Sequence, residues 1–217
     1  MKRDYSLVLF DFDGTLADTL PLIYHVFRLL FREHAGRELT DREIFSLFGP
    51  TETGIIRKHF PTKDTESIIR QMHSLYDSEH EAFVKPHPGV LPMLHTIRGA
   101  GYKIGLYSGK SRITLDISLS HLGFGEYFLF TLSGDDVMRT KPHPEGVIRA
   151  AEMAETTPAR VLFVGDSDHD TLSAVEAGAT IAGAHWLPDG SNFRERKPEL
   201  MFEDPLELAR WLTDVHQ

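Results

Sequence analysis

The sequence predicts an α/β protein: a Rossmann-like three-layer α/β/α core with a parallel sheet, plus an inserted all-helical domain. Short apolar runs alternate with amphipathic helical stretches over most of the 217 residues, which is the pattern of successive βαβ units. Residues 16–87 break this rhythm, because they carry helical patterns and no convincing strand. The composition, 41% hydrophobic and 25% charged, is that of a globular chain and excludes disorder, collagen or coiled coil as the main state.

Five short apolar runs predict buried parallel strands. They are Leu7–Phe10, Ile104–Tyr107, Phe128–Phe130, Val161–Val164 and Thr180–Ala182. Helical patterns accompany them near Val90–Ala100, Ile113–Leu122, Pro144–Ala154, Thr171–Ala177 and Pro205–Leu212. Pro144 and Pro205 suit first helical turns, because proline has no N–H to leave unpaired there.

The helical segment, residues 16–87, contains four further helical patterns. They run over Leu20–Ala35, Asp41–Phe48, Glu52–Phe60 and Thr65–Phe83. Pro86, Pro88 and Gly89 follow and are typical of a hinge or turn. We therefore expect a core made of residues 1–15 and 88–217, with residues 16–87 as an inserted helical domain.

Charge and composition exclude several classes of function. Lys and Arg number 23 against 32 Asp and Glu, and a net charge of −9 without a dense basic patch disfavours nucleic-acid binding. The chain has no cysteine, which excludes disulfides, thiolate metal sites and a cysteine nucleophile. No apolar run approaches the ~18 residues of a membrane span, and the first run is too short for a signal sequence. We expect a soluble, cytoplasmic protein without membrane or nucleic-acid partners, and the sequence predicts no particular protein partner.

Four polar clusters lie where the predicted sheet would bind a ligand. Asp11–Thr15, Ser108–Lys110 and Gly165–Asp170 follow the first, second and fourth strands, and Lys141–Pro144 opens the helix after the third. Ligands of open parallel sheets bind at the carboxyl ends of the strands. We therefore expect these four clusters to meet at one site.

The carboxylates of these clusters need a compensating charge. Two carboxylates ~4 Å apart repel by about 4 kcal/mol at an effective dielectric near 20. The carboxylates that could converge are Asp11, Asp13, Asp166 and Asp170. A divalent cation, with Lys141 as a fixed positive charge, would compensate them, and all-oxygen ligation favours Mg²⁺.

The same residues suit phosphoryl chemistry. Of the pair Asp11 and Asp13, one carboxylate could be a nucleophile that forms an aspartyl-phosphate, and the other an acid and base. Ser108 and the amides around Gly109 could donate to phosphate oxygens, helped by the N-terminus of the next helix. Lys141 would balance the charges of nucleophile and phosphate.

The combination of motifs resembles the haloacid dehalogenase superfamily over essentially the whole chain. The motifs are Phe10-Asp11-Phe12-Asp13-Gly14-Thr15-Leu16, Ser108, Lys141-Pro142 and Gly165-Asp166-Ser167 with Asp170, in this order. The resemblance implies a Rossmann-like core under a mobile α-helical cap of the first type. It also implies Asp11 as nucleophile, Asp13 as general acid and then base, and phosphate held by Ser108, Gly109 and Lys141. Mg²⁺ would be held by Asp11, the Asp13 backbone carbonyl and Asp166.

The roles of two residues stay open. Asp170 could be an outer partner of the metal or could stabilise a helix N-terminus. Lys110 occupies a position that is usually basic in relatives, and we give it less weight as a ligand.

Within the superfamily, the residues favour hydrolysis. Dehalogenases lack the second aspartate of the first motif, whereas Asp13 is present, and mutases of this cap type usually carry a histidine where this chain has Ile23. The resemblance is to phosphoglycolate phosphatases and related inorganic pyrophosphatases; it rests on Phe48–Thr51, Gly183–Trp186 and Lys197–Glu199. We expect a small phosphorylated substrate. A sugar-phosphate mutase and a non-catalytic binding domain remain alternatives.

The loop Gly49-Pro50-Thr51-Glu52 is the candidate for reading the substrate. The helix that follows it would begin with free amides that suit an anion. Glu52 opposes an anion, which also allows it to be an ordinary acidic residue of a first turn. Arg57 and Lys58 could reach a second charge on the substrate, although a solvated surface position explains both.

Overall fold

A computed structural model describes residues 4–62, 64–187 and 193–214. Its strands are β1 Leu7–Phe10, β2 Ala17–Asp18, β3 Lys85–Pro86, β4 Lys103–Tyr107, β5 Phe130–Leu132, β6 Val161–Gly165, β7 Thr180–Ala184 and β8 Leu200–Phe202. Its α-helices are α1 Leu20–Ala35, α2 Asp41–Phe45, α3 Glu52–His59, α4 Thr65–Phe83, α5 Val90–Gly99, α6 Arg112–Leu122, α7 Glu145–Met153, α8 Asp168–Ala177 and α9 Pro205–Thr213.

Six strands form one parallel sheet in the order β5-β4-β1-β6-β7-β8. The central strand β1 pairs with β4 on one side and with β6 on the other. Chain order reverses at β1, and the strands on its two sides come from later βαβ units. The predicted α/β class with a Rossmann-like core is confirmed.

The sheet is covered on both faces, as alternation along β1 requires. Val8 and Phe10 belong to one apolar cluster, together with residues of α5, α6 and α9. Leu7 and Leu9 belong to a second cluster, together with residues of α7 and α8. Every residue of β1 is buried, which explains its continuous apolar run.

The helical segment connects to the core through two short paired strands. The chain leaves the core through β2 and returns to it through β3. These two strands pair antiparallel, with Ala17 opposite Pro86 and Asp18 opposite Lys85. Helices α1 to α4 lie between them, and their buried side chains join the apolar cluster on one face of the sheet. The longest of them, α4, has 19 residues. Within the described ranges, no helix combines the length and apolar character that crossing a bilayer demands.

The structure corrects several predicted boundaries. The third predicted strand, Phe128–Phe130, is displaced to Phe130–Leu132, because a 3₁₀ turn over Gly125–Tyr127 precedes it and Leu129 is exposed. Helix α8 begins three residues earlier than predicted, at Asp168. There, Ser167 and Asp170 form a capping box that starts the helix.

Candidate active site

The four polar clusters converge at the carboxyl ends of β1, β4 and β6, beside a cavity of about 490 Å³. Its wall includes Asp11, Asp13, Gly109, Lys141 and Asp166. Residues of the helical segment line the opposite side, among them Ile23, Phe48, Gly49, Pro50 and Glu52. The cavity therefore lies between the sheet and the helical segment.

Lys141 binds two buried carboxylates. Its Nζ lies 2.6 Å from Asp11 Oδ1 and 2.7 Å from Asp170 Oδ1. Burial raises the pKa of Asp11 to about 7. The positive charge of Lys141 lowers this pKa, whereas the negative charges of Asp170 and Asp13 raise it further. Burial would lower the pKa of Lys141, but Asp11 and Asp170 outweigh it and raise that pKa instead. Lys141 is thus a permanent positive charge beneath Asp11.

Asp170 supports this pair and also starts helix α8. Its side chain is fully buried, and its second oxygen accepts hydrogen bonds from Ser167 N at 3.1 Å and Ser167 Oγ at 2.6 Å. Both carboxylate oxygens are therefore engaged by protein groups. Helix capping and Lys141 account for the burial of Asp170.

The acidic residues around Lys141 fit a hard divalent cation. Oxygens of Asp11, Asp166 and Asp170 lie within 4.8 Å of one another, and all three residues are buried. Carboxylates this close repel one another when ionised, and a bound cation would relieve that repulsion. Gly14, with φ of 79°, allows a close approach, because a Cβ there would lie 2.3 Å from Asp166 Oδ2. Oxygen-only donors of this kind suit Mg²⁺.

Ser108 lies behind the cavity wall. It is fully buried, and its Oγ accepts a hydrogen bond from Lys110 N at 3.3 Å. Ser108 N donates to Leu132 O at 2.9 Å, which fixes the end of β4 against β5. The neighbouring Gly109 and Lys110 face the cavity.

Asp13 belongs to a second buried charge network. Its Oδ1 accepts from Thr19 Oγ1 and from Lys110 Nζ, which lies 3.2 Å away. Lys110 is only 2% exposed, and its Nζ also lies 3.0 Å from Glu52 Oε1. Burial alone would lower the pKa of Lys110, but Asp13 and Glu52 raise it well above its usual value. Lys110 is thus an integral part of the site.

For Glu52, the sequence left open a place in the substrate loop or the role of an ordinary acidic residue in a first turn. Glu52 does lie in the first turn of α3, but it is buried and faces the core. A signal for this orientation exists in the sequence: Ile55 and Ile56 follow at the helical spacing of one face, and both are buried. Glu52 therefore shares the apolar face of α3.

Only part of the candidate substrate loop, Gly49-Pro50-Thr51-Glu52, contacts the cavity as predicted. Gly49 and Pro50 line the cavity. Thr51 instead caps α3, accepting a hydrogen bond from Gly54 N at 3.3 Å. Arg57 pairs with Glu66 at 3.0 Å on the exposed surface, as its solvated interpretation requires.

Arg194 is a cavity residue that the sequence did not indicate. Its guanidinium lies 5.6 Å from the ring centroid of Phe45. The Asp168 carboxylate anchors its loop by accepting hydrogen bonds from three successive amides, Arg194 N, Glu195 N and Arg196 N. The loop is thereby tied to the turn that carries Asp166.

The fold and the arranged aspartates define a haloacid dehalogenase-like hydrolase. The sequence pattern of that family matches residues 8–184, and the chain belongs to it. Pyrophosphatase PpaX of Bacillus cereus is 28% identical to this chain over 213 residues, which cover 98% of each protein. Together with this site, the family supports a phosphatase enzyme.

Solved structures agree in fold. A predicted phosphoglycolate phosphatase from Haemophilus somnus superposes with a TM-score of 0.81 at 23% identity, covering 99% of both chains. CbbY from Rhodobacter sphaeroides, in complex with phosphate, superposes with a TM-score of 0.78 at 19% identity, covering 94% of this chain and 96% of that one. These similarities extend over the helical segment as well as the sheet.

Proposed function

We propose that the protein hydrolyses a small phosphate monoester, such as phosphoglycolate, through an aspartyl-phosphate on Asp11. The proposal rests mainly on the contact of Lys141 with the buried Asp11 at the cavity wall. Asp13 lies two residues further along, after the end of the same strand β1. Lys141 favours the ionised, nucleophilic form of Asp11, which burial alone would disfavour. A nucleophile, an acid and a fixed positive charge therefore face one cavity.

The chemistry takes two steps. The Asp11 carboxylate attacks phosphorus, and the bond from phosphorus to the leaving oxygen breaks while Asp13 donates a proton to that oxygen. Asp13 then takes a proton from water, whose oxygen attacks phosphorus and breaks the bond to Asp11. Inorganic phosphate leaves, and both carboxyl groups return to their starting states. Gly109 and Lys141, at the cavity wall, are the proposed partners of the phosphate oxygens, and the buried Ser108 is proposed to turn its hydroxyl hydrogen toward them.

A bound Mg²⁺ would supply positive charge to the phosphoryl group and the nucleophile. Asp11 and Asp166 would hold it through their carboxylates, and Asp13 through its backbone carbonyl. The set of oxygen donors and the crowding of three buried carboxylates support this assignment.

We also propose that the helical segment is a cap over a core of residues 1–15 and 88–217. The cavity walls come from both parts of the chain, so closure would exclude water from the phosphoryl group. Gly49 and Pro50, at the cavity wall, are the proposed substrate contacts of this cap.

A second candidate is inorganic pyrophosphatase activity, favoured by the likeness to the PpaX pyrophosphatase along nearly the full length of both chains. A mutase is disfavoured, because the cavity wall carries Ile23 where an acid–base histidine would be needed. Intact Asp11, Asp13 and Lys141 likewise disfavour a non-catalytic binding domain.

Phosphate release from phosphoglycolate, pyrophosphate and a panel of sugar phosphates, each with Mg²⁺, tests the proposal. We expect kcat/KM to be highest for phosphoglycolate. A clear preference for pyrophosphate would contradict the proposed monoester substrate and favour the pyrophosphatase candidate. Absence of Mg²⁺-dependent phosphate release from every compound would overturn the proposal and leave the mutase and the binding domain as alternatives.

A further inference from the structure

We propose that Glu52 on α3 is a positioning residue that holds Lys110, and through it the Asp13 carboxyl group, so that proton transfer to the leaving group depends on docking of the helical segment. The inference rests on the proposed function, since it assigns a task within the same reaction. It concerns a buried contact between the helical segment and the end of β4.

Glu52 accepts from three groups at the end of β4 and the start of α6. Its Oε1 lies 3.0 Å from Lys110 Nζ and accepts from Thr114 Oγ1 at 3.0 Å. Its Oε2 accepts from Ser111 N at 2.6 Å. Lys110 and the Ser111 N–H outweigh burial and lower the pKa of Glu52, which keeps this carboxylate charged. A charged group with three donors from another part of the chain is fixed in position.

The surroundings of Lys110 come mostly from the helical segment. Its ammonium lies 4.8 Å from the centroid of the Tyr76 ring on α4, in addition to its contact with Glu52. The Tyr76 hydroxyl is itself held at 2.9 Å from Ser118 Oγ on α6. Asp13 is the remaining carboxylate partner of Lys110 within the described residues. Docking of α3 and α4 therefore determines where the ammonium lies.

Sharing of Lys110 between two carboxylates has a chemical consequence. With Glu52 in place, the ammonium divides its hydrogen bonds between Glu52 and Asp13. Without the Glu52 charge, Asp13 is the one anionic partner that the described residues offer the buried ammonium, which pairs with it more closely. The Asp13 carboxyl is then withdrawn from the leaving oxygen, which impairs proton donation.

Esters with different leaving groups distinguish a role of Glu52 in positioning Asp13 from a purely structural role in docking the helical segment. An alkyl alcohol needs a proton to leave, whereas 4-nitrophenol leaves as a stable anion. Loss of a merely structural contact would slow both kinds of ester by the same factor. Loss of Asp13 positioning would slow the alkyl ester selectively.

The experiment measures kcat/KM of the Mg²⁺-loaded Glu52→Gln variant on phosphate monoesters whose leaving groups range from alkyl alcohols to 4-nitrophenol. This ratio reports the steps up to phosphorylation of Asp11. We expect a loss of roughly 10-fold to 100-fold for alkyl esters and less than about threefold for 4-nitrophenyl phosphate. Asp13→Asn should show the same trend, and the double variant should lose little more than Asp13→Asn alone.

Matched variants complete the test. Glu66→Gln, which changes an exposed carboxylate of the same segment, should leave all values unchanged. Glu52→Asp keeps the charge on a shorter side chain, so it should show the same dependence on the leaving group with smaller losses. If Glu52→Gln does not fold, Glu52→Asp takes its place in the test. Equal losses for all leaving groups, or no loss, would overturn the positioning role. A wild-type protein inactive on every ester would overturn the proposed function and this inference with it.

Discussion

Asp11 and Lys141 form the contact on which the proposed chemistry depends most directly. Asp11→Asn should abolish phosphate release, because an amide cannot form the phosphoryl intermediate, while the near-identical shape preserves the fold. Phosphate release and thermal unfolding of the purified variant check both statements. Near-normal turnover would remove Asp11 as the nucleophile.

Gly14 offers a steric test of the aspartate cluster. In Gly14→Ala the new methyl group would overlap Asp166 Oδ2, so we expect at least a tenfold loss of kcat/KM, in line with the cost of disturbing groups that hold a metal. The control is Gly36→Ala: its φ of 61° is also left-handed, but among the described residues beyond its two chain neighbours nothing lies within 4 Å of the added Cβ. That variant should lose stability of about 1 kcal/mol and keep its activity. Equal activity losses in both variants would contradict the steric explanation.

The sequence predicted the site position of those charged residues that belong to a motif. It did not predict the position of those whose place depends on packing against distant parts of the chain. Asp11, Asp13, Lys141 and Asp166 follow predicted strands or open a helix, and parallel strands bring such positions together. Glu52 and Arg194 lack such a context. The apolar pattern of α3 predicts that Glu52 is buried, but its partners, like the position of Arg194, depend on how the helical segment and the residues after β7 pack, which local sequence does not specify.

Helices α4 and α6 meet through a buried histidine. His80 Nε2 lies 3.1 Å from Ser118 Oγ, and the His80 ring stacks on His121 at 4.5 Å between centroids. Burial, followed by the charges of His121 and Lys110, lowers the pKa of His80 from 6.5 to about 4, whereas Asp77 opposes this shift. The neutral ring is therefore the form that the folded protein accommodates.

The contribution of His80 to stability should consequently fall on mild acidification. Between pH 6.5 and about 4 the unfolded chain protonates His80 and the folded one does not, so the His80 contribution to the free energy of unfolding decreases as pH falls through this window. We expect a contribution on the order of 1–2 kcal/mol between pH 7 and pH 5. Urea unfolding of the wild type and His80→Gln at the two pH values measures it. Identical pH dependence in both proteins would rule out His80 as the cause.

Short strands escaped prediction for a physical reason. β2 and β3 have two residues each, too few for any alternation, and they exist because the two ends of the helical segment lie side by side. β8 has three residues and is the outer strand of the sheet beside β7. Longer buried strands such as β1 and β6 were predicted nearly to the residue, because burial on both faces demands an unbroken apolar run.

The arrangement of charges predicts a requirement for metal. Excess chelator should abolish phosphate release and lower the unfolding temperature, because a cation that binds only the folded state stabilises it. Added Mg²⁺ should restore both, and Ca²⁺ should inhibit, since its looser and higher coordination would misplace Asp11. Activity and thermal unfolding, measured before and after chelation, check this. Unchanged turnover in chelator would exclude an essential metal.

The pairing of β2 with β3 has a consequence for how this architecture tolerates change. Because the chain departs at Asp18 and re-enters at Lys85 as hydrogen-bonded neighbours, the gap to be bridged is one strand spacing, whatever lies between. Loop-closure entropy rises only slowly with the length of an insertion. Inserts of very different size could therefore occupy this position without displacing β1 or α5, while contacts such as that of Glu52 with Lys110 limit which inserts preserve the site.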